Sequence, residues 1–133
     1  NNTLTMDLFG QTTGESDGYR QISGMGGMLD FVTAAFRSEG GRSFIIMQST
    51  YKDSSGELRS RIVPRLREGT IVTVPRGLVH WVVTEHGMTC LKGKTTWQRA
   101  EALIELAAPQ FRDELIKEAA AMKIWRRSNQ QDA

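Results

Sequence analysis

Apolar residues change their spacing several times along this chain, and each change marks a predicted element. Leu4, Met6 and Leu8 alternate with Thr3, Thr5 and Asp7, the period-two pattern of a half-buried strand, so residues 1–9 read as extended. Over residues 28–38 the apolar positions fall at helical spacing, and Glu39-Gly40-Gly41-Arg42 supplies glycines where a helix should stop. Residues 43–50, SFIIMQST, then read as a buried strand. Asp53-Ser54-Ser55-Gly56 is a hairpin-type turn, which predicts that residues 59–66 pair antiparallel with the strand before it. Residues 70–75 and 79–85 are further strands, the second ended by Gly87.

From Thr95 the period returns to that of a helix. Trp97, Ala100, Leu103, Ile104 and Ala107 keep helical spacing behind a cap at Thr95 or Thr96. Pro109 opens another helix, whose stripe of Phe111, Leu115, Ile116, Ala119 and Met122 is core packing, with Asp113 and Glu114 near its N-terminal end. Residues 128–133 are polar and read as a flexible tail. A strand–turn–helix–strand unit, a run of short strands and two closing helices make an α/β domain, a mixed β-sheet flanked by helices. No repeat or linker divides residues 1–133, so one domain is expected. The chain opens inside a strand without an initiator methionine and is expected to be the C-terminal part of a longer polypeptide.

Composition narrows the function classes. With 39% hydrophobic residues in 133, a core can form without disulfides or a metal. The net charge of +2 includes a cluster of arginines, Arg59, Arg61, Arg65, Arg67 and Arg76, that suits an anionic ligand or an ordinary solvated face. It falls short of the dense basic stripe with interleaved aromatics that marks a nucleic-acid binder. The single cysteine, Cys90, rules out an internal disulfide and a cysteine-rich zinc cluster, and His80 and His86 lack metal-ligand spacing, so no metal is expected. These residues hold no signal peptide and no apolar run of membrane-spanning length, which points to a cytoplasmic location away from membranes.

The richest chemical signal is Ser23-Gly24-Met25-Gly26-Gly27, a glycine-dense turn running straight into a helix. The first turn of a helix leaves N–H donors without internal partners and carries partial positive charge. Such a turn suits a phosphate, a carboxylate or a developing oxyanion, although it can also be a simple connection. Glu85, at the end of an apolar strand, is the best placed carboxylate, read either as a site residue or as a partner for an arginine or helix cap. Cys90 lacks a convincing histidine partner and reads as a small buried hydrophobe, and Ser23 does not fit the Gly-x-Ser-x-Gly elbow of hydrolases.

Several ordered segments together resemble one enzyme family. They are Leu4-Thr5-Met6-Asp7-Leu8-Phe9-Gly10-Gln11, Ser23-Gly24-Met25-Gly26-Gly27-Met28-Leu29-Asp30-Phe31, Gly40-Gly41-Arg42-Ser43, Ser60-Arg61-Ile62-Val63-Pro64, Val82-Val83-Thr84-Glu85-His86-Gly87 and Leu91-Lys92-Gly93-Lys94, continuing to Arg99-Ala100. The chain resembles the acetyl-CoA hydrolase/transferase family, in particular the C-terminal domain of its 4-hydroxybutyrate, butyrate:acetate and itaconate CoA-transferases. One local departure is Trp81 and His86, which stand where relatives commonly have tyrosine.

The resemblance implies a CoA-transferase-like fold, the C-terminal domain of a two-domain enzyme that works as a homo-oligomer. It implies transfer of CoA between a short-chain acyl-CoA and a small carboxylic acid through a glutamyl-CoA thioester. The nucleophilic glutamate would lie upstream, in the missing N-terminal part. Within this chain the resemblance places the oxyanion-binding N–H at Gly26, with Gly24 and Gly27 completing the CoA-binding turn, and a basic contact to the adenosine-phosphate end of CoA at Arg42. Glu85 has the Glu-x-Gly form that carries the nucleophile in some more distant CoA-transferases, but its position resembles a second, structural Thr-Glu-x-Gly segment. Acyl-CoA hydrolysis and a noncatalytic CoA- or nucleotide-binding module are the alternatives.

Overall fold

A computed structural model describes residues 1–125; the tail expected at 128–133 lies outside the described residues. In chain order the elements are strands β1 (Thr5–Asp7), β2 (Thr12–Thr13), β3 (Ser16–Asp17) and β4 (Arg20–Gln21), then helix α1 (Met28–Arg37). Strands β5 (Phe44–Ile46), β6 (Thr50–Lys52), β7 (Leu58–Ser60), β8 (Ile62–Val63), β9 (Trp81–Thr84) and β10 (Gly87–Cys90) follow, and helices α2 (Thr96–Leu106) and α3 (Pro109–Ala121) close the chain.

The fold is α/β with mixed sheets, and its short strands divide among four small ones. One sheet has the order β2-β1-β8 and another β10-β9-β5, while β3-β4 and β6-β7 are two-stranded. Each three-stranded sheet combines one parallel and one antiparallel pair: β1 is parallel to β8 and β5 to β9, whereas β2 and β10 are antiparallel to their neighbours. α1 contributes Val32 and α2 contributes Ala100, Leu103 and Ile104 to a core shared with Met6, Leu8, Ile45, Ile62 and Val82.

Several extended stretches are interrupted, each for a local reason. In residues 1–9 the strand stops at Asp7, because Asp7-Leu8-Phe9-Gly10 closes a turn in which the Gly10 N–H donates to the Asp7 carbonyl at 2.9 Å. The carboxylate of Asp7 accepts from the N–H groups of Phe9 and Gln11, so this residue is buried although the alternation had placed it outside. Residues 43–50 split into β5 and the start of β6, and β5 alternates: Ile45 is buried while Phe44 and Ile46 are exposed.

The hairpin at residues 53–56 forms as expected, with Asp53 accepting from Ser55 and Glu57 backbone N–H groups and Arg59 closing on its other oxygen at 2.9 Å. Only β7 pairs back on β6; β8 turns away to lie parallel to β1. Residues 70–75 are not a strand, since Val74 alone makes a bridge, to Thr12. β10 was not anticipated: Glu85 and His86 form the tight turn of a hairpin from β9.

Both closing helices begin as the pattern indicated. Thr95 accepts from the Gln98 N–H while the Gln98 side chain accepts from the Thr95 N–H, a reciprocal capping box. Pro109 occupies the first turn of α3, where its missing N–H costs nothing.

Beyond the end of α1 at Arg37, the turn through Gly40-Gly41 is under tight steric control. A methyl group on Gly41 would collide with the Ala35 carbonyl oxygen and the Ser38 hydroxyl, both in the rigid last turn of the helix. Gly41→Ala is therefore expected to lower the stability of the protein by about 1–3 kcal/mol, the usual range for overpacking. Chemical denaturation of the variant beside the parent checks this.

Candidate functional site

The glycine turn precedes α1 as an open, donor-rich bend. Residues 21–27 are all exposed. Gly26 holds φ at +57°, a left-handed conformation that glycine adopts without strain, and the space around it is empty. Gly27 is the N-cap of α1 and offers no side chain to the helix. Among the described residues, no acceptor takes the backbone N–H groups from Gly24 through Asp30. The turn is held from behind: the Glu15 carbonyl accepts from the N–H groups of Ile22 and Ser23, and the Ser23 hydroxyl donates to the Gly14 carbonyl.

Topology then decides where the turn points. Gly14 lies against Met28 at the start of α1 and near the Asn2 carbonyl, and Asn2 pairs with Ile46 at the end of β5. The N-terminus of α1 therefore stands at the carboxyl end of the parallel β5–β9 pair, the end at which α/β sheets bind ligands.

A shallow cleft lies along one side of α1. Gly27, Phe31 and Ala35 recur at four-residue intervals on the helix, and Phe31 and Ala35 line an open cleft of about 390 Å³ with Asn1, Arg42, Ser43 and Phe44. The ten residues of α1 separate the turn from Arg42 by roughly 15 Å of helix. Arg42 is exposed and makes no hydrogen bond or ion pair among the described residues. Its charge reaches His80: burial holds the imidazole below its usual range, and the nearby Lys92 and Arg42 cations push it further down. Lys92 itself lies over the Phe36 ring, 4.4 Å from its centroid. Arg42 and Lys92 thus form one basic corner at the far end of α1.

Glu85 is already engaged. One carboxylate oxygen accepts from the Ser49 N–H at 2.8 Å and the other from the Ser49 hydroxyl at 2.6 Å. Partial burial raises its carboxyl pKa, but the Ser49 hydrogen bonds and the nearby His86 outweigh this and hold it below the usual value. The partner is thus a serine, not the arginine or helix cap weighed from sequence. The clasp joins the β9–β10 turn to the segment after β5.

The arginine cluster does not gather as a whole, although Arg59 and Arg67 line a common cavity. Arg59 binds Asp53 and Glu57, Arg61 donates to the Leu4 carbonyl, Arg65 lies over Phe9, Arg67 binds Asp17 and Arg76 donates to Thr96. A half-open cavity of about 210 Å³, lined by Thr5, Ser16, Tyr51, Arg59, Arg67 and Phe111 among others, touches none of the residues named for the turn, Arg42 or Glu85.

Comparison with known proteins identifies the domain. The acetyl-CoA hydrolase/transferase C-terminal domain matches residues 1–119. The chain belongs to this family. It is 54% identical over 129 residues, 97% of this chain, to the butyryl-CoA:acetate CoA-transferase of Anaerostipes caccae. The RipA crystal structure from Yersinia pestis superposes with a TM-score of 0.82 at 45% identity over 94% of this chain, and covers 27% of its own length. A 4-hydroxybutyrate CoA-transferase from Porphyromonas gingivalis gives 0.66 at 38% identity over 92% of this chain and 26% of its own. The chain thus spans only 29% of the length of the Anaerostipes relative.

Within this family domain, the burial of four polar residues escaped the sequence reading. Burial pushes the Asp7 carboxyl up against the hydrogen bonds from Gln11, Phe9 and Gly10 that it accepts. Its signal was the Asp-x-x-Gly spacing of a turn, overlooked in favour of alternation. His80 and Ser43 carry buried polar atoms, Nδ1 and Oγ, without protein partners. Ser49, the clasp partner, carried no local signal, because its role depends on a residue 36 positions away. Among the described residues no group of three or more His, Cys, Asp and Glu could hold a metal, and no helix is long and apolar enough to cross a membrane.

The clasp yields a pH prediction. Because the folded-state pKa of Glu85 is lowered, the clasp contributes stability above the ordinary value of 4.5 and loses it as pH falls through the folded value. Ser49→Ala removes the hydroxyl donor, so the Glu85 titration midpoint should move upward. Carbon-detected NMR titration of the side-chain carboxyl measures this; an unmoved midpoint would contradict the clasp.

Proposed function

We propose that this chain is the oxyanion- and CoA-binding domain of a CoA-transferase that moves CoA between a short-chain acyl-CoA and a carboxylic acid. The observation carrying the reading is the uncapped glycine turn, rich in free N–H donors, at the carboxyl end of the parallel pair in a domain of the acetyl-CoA hydrolase/transferase family. A glutamate contributed by the rest of the enzyme attacks the thioester carbonyl, the C–S bond breaks, and CoA leaves as thiolate from an acyl-glutamyl anhydride. The thiolate then attacks the glutamyl carbonyl, the C–O bond breaks, and the donor acid departs as carboxylate from a glutamyl-CoA thioester. The acceptor carboxylate repeats both steps in reverse.

Each attack places negative charge on a carbonyl oxygen. Gly26 supplies the N–H that meets it, and the neighbouring uncapped donors and helix dipole add to the stabilisation, on the order of 3 kcal/mol per donor. The long CoA moiety follows the Phe31–Ala35 side of α1, with Gly24 and Gly27 at its thioester end and Arg42 at its phosphate end. Glu85 braces the site through Ser49, since both its oxygens are engaged. A hydrolase would use the same turn and differ only in admitting water to the glutamyl thioester.

The covalent step is tested by incubating the full-length enzyme with acyl-CoA, reducing with borohydride and mapping peptides by mass. A modified glutamate upstream of Asn1 is expected. A modified Glu85 would move the nucleophile into this domain, no adduct would remove the covalent mechanism, and CoA release without an acceptor acid would mark a hydrolase.

Gly26→Val should reduce turnover about 100-fold with little change in KM for acyl-CoA, because a β-branched residue abandons a φ of +57° and re-aims the N–H. Steady-state kinetics, with a melting curve to confirm folding, reads the effect. Arg42→Ala should weaken CoA about tenfold, the size of one charge-assisted hydrogen bond, while leaving dephospho-CoA unchanged. Equal losses for both ligands would displace the phosphate contact from Arg42.

A further inference from the structure

The outer face of the β10-β9-β5 sheet is apolar and uncovered. Register places Phe44, Trp81 and Cys90 in one row across the three strands, and Ile46, Val83 and Met88 in the next. Side chains alternate along a strand, so these six project from the face opposite Ile45 and Val82, which are fully buried. Phe44, Ile46 and Met88 are 38%, 44% and 62% exposed, and Phe44 stacks on Trp81 with ring centroids 6.1 Å apart. No charged residue interrupts the two rows. A parallel pair such as β5–β9 ordinarily has both faces covered. Here Ile45 and Val82 on the inner face belong to a core shared with β1, β8 and helices α1, α2 and α3.

The chain's first residues indicate what covers the other side. Asn2 bridges Ile46 in parallel, the Ile46 N–H donates to the Asn1 carbonyl at 2.8 Å, and the Thr3 N–H donates to the Ile46 carbonyl at 3.1 Å. Residues 1–3 thus extend the sheet along the free edge of β5, in the same direction as β5 and β9. The crossover joining this segment to its parallel neighbour β5 is residues 4–43, which contain α1, so chain preceding Asn1 would join at the free edge beside Phe44 and Ile46. The matched segment is 29% of the Anaerostipes relative and is described as a C-terminal domain, so that relative carries further chain on the N-terminal side.

We propose that the Phe44–Trp81–Cys90 and Ile46–Val83–Met88 rows are the docking surface for the upstream part of the same polypeptide, packed on this face beside the edge at which Asn1 stands. This rests on the reading that the chain works as one domain of a longer enzyme. Phe44 also borders the cleft beside α1, whereas Ile46 and Met88 do not line it, so those two positions report docking apart from CoA binding.

The test places the photocrosslinker p-benzoylphenylalanine at Met88 in the purified full-length enzyme, with the same label at Ile46 in a second variant. After irradiation, peptide mapping should find the label joined to a peptide N-terminal to Asn1 within one chain. A link between two copies, seen as doubled mass, would overturn the proposal in favour of a self-association face. Absence of any link from both positions would also overturn it, leaving the face open to solvent. CoA transfer measured on the same samples separates the two readings: an active enzyme without the upstream link sinks the docking surface alone, and a linked but inactive one supports it.

Discussion

The parallel register of β5 against β9, with Phe44 beside Trp81 and Ile45 beside Val82, is the constraint on which the rest of the domain depends. Parity along each strand makes the register divide the sheet into a buried inner face and an apolar outer one; a slip of one residue would exchange them. The same pairing aligns the carboxyl ends of the two strands, bringing Ser49 and Glu85 within hydrogen-bonding distance. It also sets the polarity of α1, which returns along the sheet and presents its N-terminus at that end.

Three features then meet at one end of the domain without touching one another. The glycine turn supplies backbone donors, the Ser49–Glu85 clasp braces the neighbouring hairpin, and the side of α1 leads away toward a basic corner of Arg42 and Lys92. Backbone donors in a glycine turn cost no side-chain entropy and need little reorganisation as charge develops, which suits an oxyanion. The far end carries the exposed cations of Arg42 and Lys92 on a solvated edge. Arg59, Arg61, Arg65, Arg67 and Arg76 each meet a partner elsewhere on the domain.

Much of this was legible in the chain. The Thr95–Gln98 capping box, Pro109 at the head of α3, the turn at residues 53–56 and the helix after the glycine turn all depend on residues within a few positions of one another. Short-range chemistry of this kind survives in any fold, so the elements it specifies appear where the spacing places them. Strand extents were less legible. Period-two alternation at residues 1–9 hid the buried Asp7 turn, and the apolar run at 43–50 concealed the alternation of β5. A strand's exposure depends on what packs against each face.

By itself the sequence determined the α/β class, the two closing helices, the donor-rich turn at residues 23–27 and the family to which the chain belongs. The tertiary structure alone decided that Glu85 bonds Ser49, that Arg42 shares its corner with Lys92, and that the strands divide among separate sheets. It also decided that one sheet face stays apolar and uncovered. The physical reason is range: caps and turns are closed by neighbours in the chain. The Ser49–Glu85 clasp joins residues 36 apart, and their meeting is set only when packing selects one register among those the local pattern allows.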